Sequence, residues 1–261
     1  AEPLFRSVNM AIDKEAIVRE VLHGYGTPTA DPIPESTNLT APDSTVATAN
    51  IQAARTLLEK NGWKLGSDGI YQKDISKKET LRLSFEIDTN DVPELKQAVD
   101  MIVINLRDAG IEARAKVYET GSLNQDIIRP RKFQALFFGQ VVSSQSDLFA
   151  FWHSSQRNDP GLNIAGYANP NSDKLLEQGL QTLDEKRQRE IYGKFVATIS
   201  ADMPAVFVYS PAYIYAVREN IPGITLGHIN KPEDRFTTET TWYLDTEKVW
   251  KIFAKKFSAT M

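Results

Sequence analysis

Cysteine is absent from all 261 residues. That rules out disulfides, thiolate metal sites and cysteine nucleophiles, while leaving the compartment open. Histidine is nearly absent too: His23, His153 and His228 are the only three, far apart and in no HExxH-like spacing. They read as loop or surface histidines, and no metal site built from protein ligands alone is expected. No apolar run approaches the ~20 residues of a membrane-spanning helix. Basic residues do not predominate either. Lys and Arg number 30 against 34 Asp and Glu, a net charge of −4, so no face for nucleic acid is expected. Catalytic signatures are missing as well: there is no G-x-S-x-G elbow and no Walker A loop. Gly24-Tyr25-Gly26 starts like a dinucleotide fingerprint, but Thr29 stands where the third glycine belongs, and the pair closes a helix instead of opening one. No cofactor is expected. Charged runs such as Asp184-Glu185-Lys186-Arg187 suit a solvated helix face better than acid–base chemistry. Asn38-Leu39-Thr40 spells a glycosylation sequon, which chance explains equally well.

What is present is an ordinary core-forming composition, 41% hydrophobic and 25% charged. Phe5, Val8, Ile12, Ile17 and Val21 predict helix over 5–22, with Asp13 able to cap a second stretch. A long Pro/Thr/Ser-rich loop follows at 29–48. Ile51, Ala54, Leu57 and Leu58 predict a helix over 49–61. DGIY at 68–71 reads as a turn feeding a short strand. Alternation of Leu81, Leu83, Phe85 and Ile87 predicts a strand over 81–87. The clearest helix spans 92–111, with Leu95, Val99, Ile102, Val103 and Leu106 inward and Gly110 at its end. Strands are expected at 112–119 and 133–139, and helices near 146–152, 171–180 and 184–201. AVFVYS and AYIYAV read as further strands, and a weak helix is expected at 246–256. The β-helix-β order makes this an α/β chain.

Several ordered segments resemble the family 5 extracellular solute-binding proteins, the oligopeptide/dipeptide/nickel-binding type. The first is FRSVNMAIDKEAIVREVLHGYGTP, through Arg6, Ala11, Ile12, Asp13, Ile17, Val21, Gly24 and Pro28, with Lys14 replacing the commoner arginine. AARTLLEKNGWKLGSDGIYQK follows, through Gly62, Trp63, Asp68 and Gly69. LRLSFEI and LRDAGIEARAKV are the third landmark, and LNIAGYANPNSDKLLEQG the fourth, through Asn163, Gly166, Tyr167 and Asp173. RQREIYGKFVATISADMPAVFVYS and VRENIPGI complete the series.

The resemblance implies a periplasmic-binding-protein-like (type II) lobe, a mixed sheet flanked by helices. Residues 1–215 would form the ligand-binding lobe (domain III-like), and 216–261 would return toward a first lobe. Family members are much longer, so the chain, which opens AEPLFRSVNM without a signal peptide, is expected to be a C-terminal fragment lacking its N-terminal lobe. The implied function is capture of a peptide or other small polar solute in an inter-lobe cleft and delivery to the permease subunits of an ABC importer. The implied setting is extracytoplasmic, in the periplasm or anchored as a lipoprotein on the outer face of the membrane, as a monomer without enzyme activity. An α/β hydrolase, or a non-transport receptor or chaperone of the same fold, are the alternatives. Nickel-binding relatives make His153 and His228 the residues to watch.

In peptide-binding members, the segment after a strand like FQALFFG reads Gly-Trp and then an aspartate that pairs with the peptide ammonium. Here Gln140 falls at the tryptophan, and the aspartate position falls on Val142 or Ser143, depending on a one-residue gap. Asp147 suits a later turn. The resemblance thus implies ligand contact through Gln140, Val142, Ser143, Ser144 and Gln145, with neutral hydrogen bonds in place of the charged pair. A polar loop without ligand contact fits the same residues. Trp152 suits either stacking on a ligand or a place in the core.

Overall fold

A computed structural model describes residues 2–34, 46–217, 223–225, 229 and 232–243. His228, the sequon at Asn38 and the helix expected at 246–256 lie outside them. The chain divides into two compact units, Ala1–Ala212 and Tyr213–Met261.

In the first unit, the helix expected over 5–22 is two helices, α1 (Glu2–Ala11) and α2 (Lys14–Glu20). Asp13 divides them. Its carboxylate accepts the Ala16 N–H at 2.9 Å, while its own N–H donates to Asn105 Oδ1 at 3.0 Å. β1 (Gly26–Pro28) pairs antiparallel with β8 (Tyr209–Pro211). α3 (Ile51–Lys60) starts at Asn50, whose side chain accepts the Ala53 N–H.

The alternating run at 81–87 is shared between two sheets. β2 (Lys64–Leu65), β3 (Tyr71–Ser76) and β4 (Glu79–Arg82) form an antiparallel meander. β5 (Ser84–Asn90) instead runs parallel to β6 (Glu112–Tyr118) and to β7 (Ala135–Leu136), in the order β6-β5-β7. Leu83 is the junction: its N–H donates to Tyr71 O at 2.8 Å, and its carbonyl accepts Glu112 N–H at 3.0 Å.

α4 (Pro93–Asp108) crosses from β5 to β6 and buries Ala98, Val99, Ile102 and Leu106. The return from β6 to β7 passes through a single helical turn, α5 (Thr120–Ser122), and a π-helical stretch, Leu123–Ile128. Period-two alternation sends Phe85 and Ile87 into the core that holds α4, and leaves Glu86 and Asp88 on the opposite face.

A second core lies among α6 (Gln145–Trp152), α7 (Pro170–Gln181) and α8 (Glu185–Asp202). Leu148, Trp152, Leu176, Tyr192, Phe195 and Ile199 fill it, and Ile33 from the long loop joins them. Trp152, 4% exposed, is therefore a core residue. AVFVYS supplies only the short β8, and AYIYAV forms no strand. Ala212 N–H still reaches Tyr25 O, but no strand partner meets the residues beyond it among those described.

Within the second unit, 3₁₀ turns span Pro232–Phe236 and Glu239–Thr241. Gly223 (φ +85°) lies so close to Thr241 that a Cβ there would clash with the Thr241 carbonyl oxygen.

Candidate ligand-binding face

The three parallel strands direct their carboxyl ends the same way, and the strand order reverses about β5. Open α/β sheets bind ligands outside such ends, at the reversal. β5 gives way there to α4, and β7 to the segment 139–144.

The five residues expected at the ligand fare differently. Gln140 is half-buried, and its side chain makes no hydrogen bond among the described residues. Val142 is 6% exposed and packs in the second core. Ser143 and Ser144 both turn to Asp147. Its Oδ2 accepts both backbone N–H groups and both hydroxyls at 2.8–3.0 Å, capping α6. Burial pushes the Asp147 carboxyl up, but these bonds outweigh it and hold it below the ordinary range. Gln145 donates to Gln188 Oε1 at 3.0 Å, and Gln188 donates onward to the carbonyls of Gly179 and Thr182. Capping and core residues thus occupy most of the expected wall.

A polar depression of about 410 Å³ lies on the sheet face opposite α4. Glu86 and Asp88 of β5, Lys116 and Tyr118 of β6, and Ile127 and the segment Arg131–Gln134 line it. Asp88 is 4% exposed, and no hydrogen-bond partner meets its Oδ1. Burial raises its carboxyl above the ordinary range, against the pull of Lys116. Lys116 is held above its own ordinary value, first by Tyr118 and also by Glu86 and Asp88. Its Nζ lies 5.3 Å from the Tyr118 ring centre and 3.9 Å from Glu86 Oε2. Arg131 adopts left-handed backbone (φ +56°), uncommon for a side-chain-bearing residue. Two of its nitrogens donate to Ile128 O at 2.6 Å and Gly161 O at 2.8 Å, while its Nε is buried without a partner. None of these residues was marked by sequence reasoning. The available signal was the charge at Glu86 and Asp88 alternating with Phe85 and Ile87 at the end of the run at 81–87.

His153 is the one described histidine with a cluster around it. Its Nδ1 lies 2.8 Å from Ser155 Oγ, and its Nε2 lies 3.4 Å from Glu177 Oε1 and 4.0 Å from Asp173 Oδ1. In outline that is a nucleophile, a base and a carboxylate. Nδ1 also accepts the Ser155 backbone N–H at 3.2 Å, which assigns the ring proton of the neutral form to Nε2. Asp173 is engaged by the Ser154 N–H and hydroxyl. His153 and Asp173 thus hold the turn that follows α6, through the Ser155 N–H and the Ser154 N–H and hydroxyl. Among the described residues, no group of three or more His, Asp or Glu side chains is arranged to hold a metal ion.

Residues 6–161, more than half of the chain, match the family described as bacterial extracellular solute-binding proteins, family 5 Middle. The oligopeptide-binding protein AppA of Bacillus subtilis is 29% identical over 242 residues, covering 91% of this chain and 43% of AppA. The nickel-binding protein NikA of Staphylococcus aureus is 21% identical over 211 residues, covering 80% of this chain and 40% of its own length. The structure of B. subtilis AppA in complex with a nonapeptide superposes with a TM-score of 0.76 at 27% identity, over 94% of this chain and 48% of that one. NikZ of Campylobacter jejuni in complex with Ni(L-His) shares the fold, with a TM-score of 0.74 at 22% identity over 92% of this chain and 48% of that one. The chain spans less than half the length of these relatives. No helix among the described residues is long and apolar enough to cross a membrane. With its α/β lobe and the match across residues 6–161, the chain belongs to the bacterial extracellular solute-binding proteins of family 5.

Proposed function

We propose that the chain supplies one wall of the ligand cleft in the solute-binding subunit of an ABC importer, with residues 1–215 as the ligand-binding lobe. On this reading, residues 216–261 return toward a second lobe encoded elsewhere in the same protein. The solute is a peptide or another small polar molecule. The protein works as a monomer outside the cytoplasm, hands its cargo to permease subunits, and performs no chemistry on it. The observation that carries the reading is the open, polar depression on the parallel sheet of a family 5 fold. Similarity to AppA, whose structure holds a nonapeptide, supports peptide as the first solute to try.

Calorimetry on the full-length protein tests it, with unblocked peptides of graded length and with nickel plus L-histidine as probes. Micromolar or tighter binding, worth roughly 8 kcal/mol, is expected for one of them. Binding of none, or ester or peptide turnover abolished by a single polar substitution, would overturn it.

A further inference from the structure

We propose that Asn61 is a site of spontaneous deamidation, kept closed in the folded chain by the end of α3 and by Lys73 of β3, and open to reaction only when that end unfastens. The inference stands apart from the identity of the solute.

Asn61-Gly62 is the only Asn-Gly step in the sequence. Glycine has no side chain to shield its backbone nitrogen, so this step is the one best suited to ring closure. In that reaction the Gly62 nitrogen attacks Asn61 Cγ. The Cγ–Nδ2 bond breaks, and ammonia leaves with the Gly62 proton. One water then opens the imide. Opening at Cγ leaves an aspartate at position 61. Opening at the main-chain carbon leaves Gly62 joined through Cγ, an isoaspartyl link with one extra main-chain atom. Water is the only co-reactant.

The fold fastens each group that must move. Asn61 Nδ2 donates to Leu57 O at 2.8 Å, and the Gly62 N–H donates to Glu59 O at 3.0 Å. Electrophile and nucleophile are thus tied to different carbonyls in the last turn of α3. Asn61 has φ −97° and ψ 17°, which holds the Gly62 nitrogen rotated away from the Asn61 side chain. Lys73 closes the arrangement from outside. Its Nζ donates to Asn61 O at 2.8 Å, and its chain runs over Gly62, where a Cβ would meet Lys73 Cε at 3.5 Å. The Trp63 N–H, on Leu58 O at 3.1 Å, fixes the next residue. Ring closure needs these bonds released together, so the local opening of the α3 end sets its rate. The extra atom of an isoaspartyl link displaces Trp63 from Leu58, so a chain modified in that way does not refasten.

The test is peptide mapping by mass spectrometry on the 261-residue chain at mildly alkaline pH, folded and in urea. A synthetic peptide, LLEKNGWKLG, serves as reference in both buffers. The folded chain should deamidate at position 61 roughly tenfold or more slowly than the peptide, and urea should bring the two within about twofold. Lys73→Met keeps a chain over Gly62 but removes the donor, and Lys73→Ala removes both. Each variant, shown to be folded by its melting, should react several-fold faster than the folded parent. The isoaspartyl fraction should melt below the unmodified chain. Reaction of the folded parent at the peptide's rate would overturn the proposal whatever the variants do. An unchanged rate in both folded variants would overturn the part assigned to Lys73.

Discussion

Tyr71 and Gly110 lock the meander to the end of α4: the Tyr71 N–H donates to Gly110 O at 2.8 Å, and the Tyr71 ring covers the Gly110 Cα. Gly110 has φ +84°, and a Cβ there would stand 2.7 Å from Tyr71 Cδ2. Tyr71 cannot retreat, because it is fully buried and its hydroxyl donates to Glu59 Oε1. Gly110→Ala therefore combines backbone strain with overpacking and should cost roughly 2–4 kcal/mol in urea denaturation. A loss below ~0.5 kcal/mol would mean that the turn relaxes freely.

Ile102 lies on the inward face of α4 at 4% exposure, in the core with Leu83, Ile87 and Ala113. Ile102→Ala should cost roughly 2–5 kcal/mol. Because the face is shared with both strands of the crossover, the loss should appear in global unfolding and not as fraying of one helix.

The α4 face was legible because a 3.6-residue period survives tertiary packing: Val99, Ile102 and Leu106 are buried as the spacing requires. The division of the run at 81–87 was not legible. Leu81, Leu83, Phe85 and Ile87 alternate without interruption, and only the partners of Leu83, namely Tyr71 and Glu112, reveal a change of sheet. The site shows the same contrast. Ser143 and Ser144 looked like free donors in sequence, yet Asp147, three to four residues on, claims both. Asp88 lies just past the run read as a strand, and its surroundings are set by residues from 116 to 134, which sequence spacing cannot bring together.

Lys14 is buried, and its Nζ donates to Thr29 O at 3.1 Å. Desolvation holds its ammonium at about 8, against 10.5 ordinarily. Between those values the unfolded chain binds more protons than the folded one, so stability should rise with pH through that window. Below it both states are protonated, and the fold bears the full cost of the buried charge. Lys14→Met should flatten this slope and raise stability near neutral pH by roughly 1–3 kcal/mol, the lost bond to Thr29 setting the lower end. Urea midpoints measured at neutral and alkaline pH would check it. A variant with the parent's slope would assign the pH dependence to another group.

Gln140 and Gln145 separate ligand contact from scaffold. Both are half-buried amides in the segment that follows β7, and sequence alone treats them alike. Gln145 is committed: it donates to Gln188, which holds the carbonyls of Gly179 and Thr182 where α7 ends. Gln145→Ala should remove that support and leave Gln188 Oε1 without a donor, costing roughly 1–2 kcal/mol of stability. Gln140 has no such commitment, so Gln140→Ala should leave stability within about 0.5 kcal/mol. If the solute is held at the carboxyl ends of the strands, the order reverses for binding: Gln140→Ala should weaken it several-fold in the full-length protein, and Gln145→Ala little. Denaturation and calorimetry on the same two variants give all four values. A Gln145→Ala protein of parental stability that no longer binds would place Gln145 at the solute and refute its assignment to the scaffold.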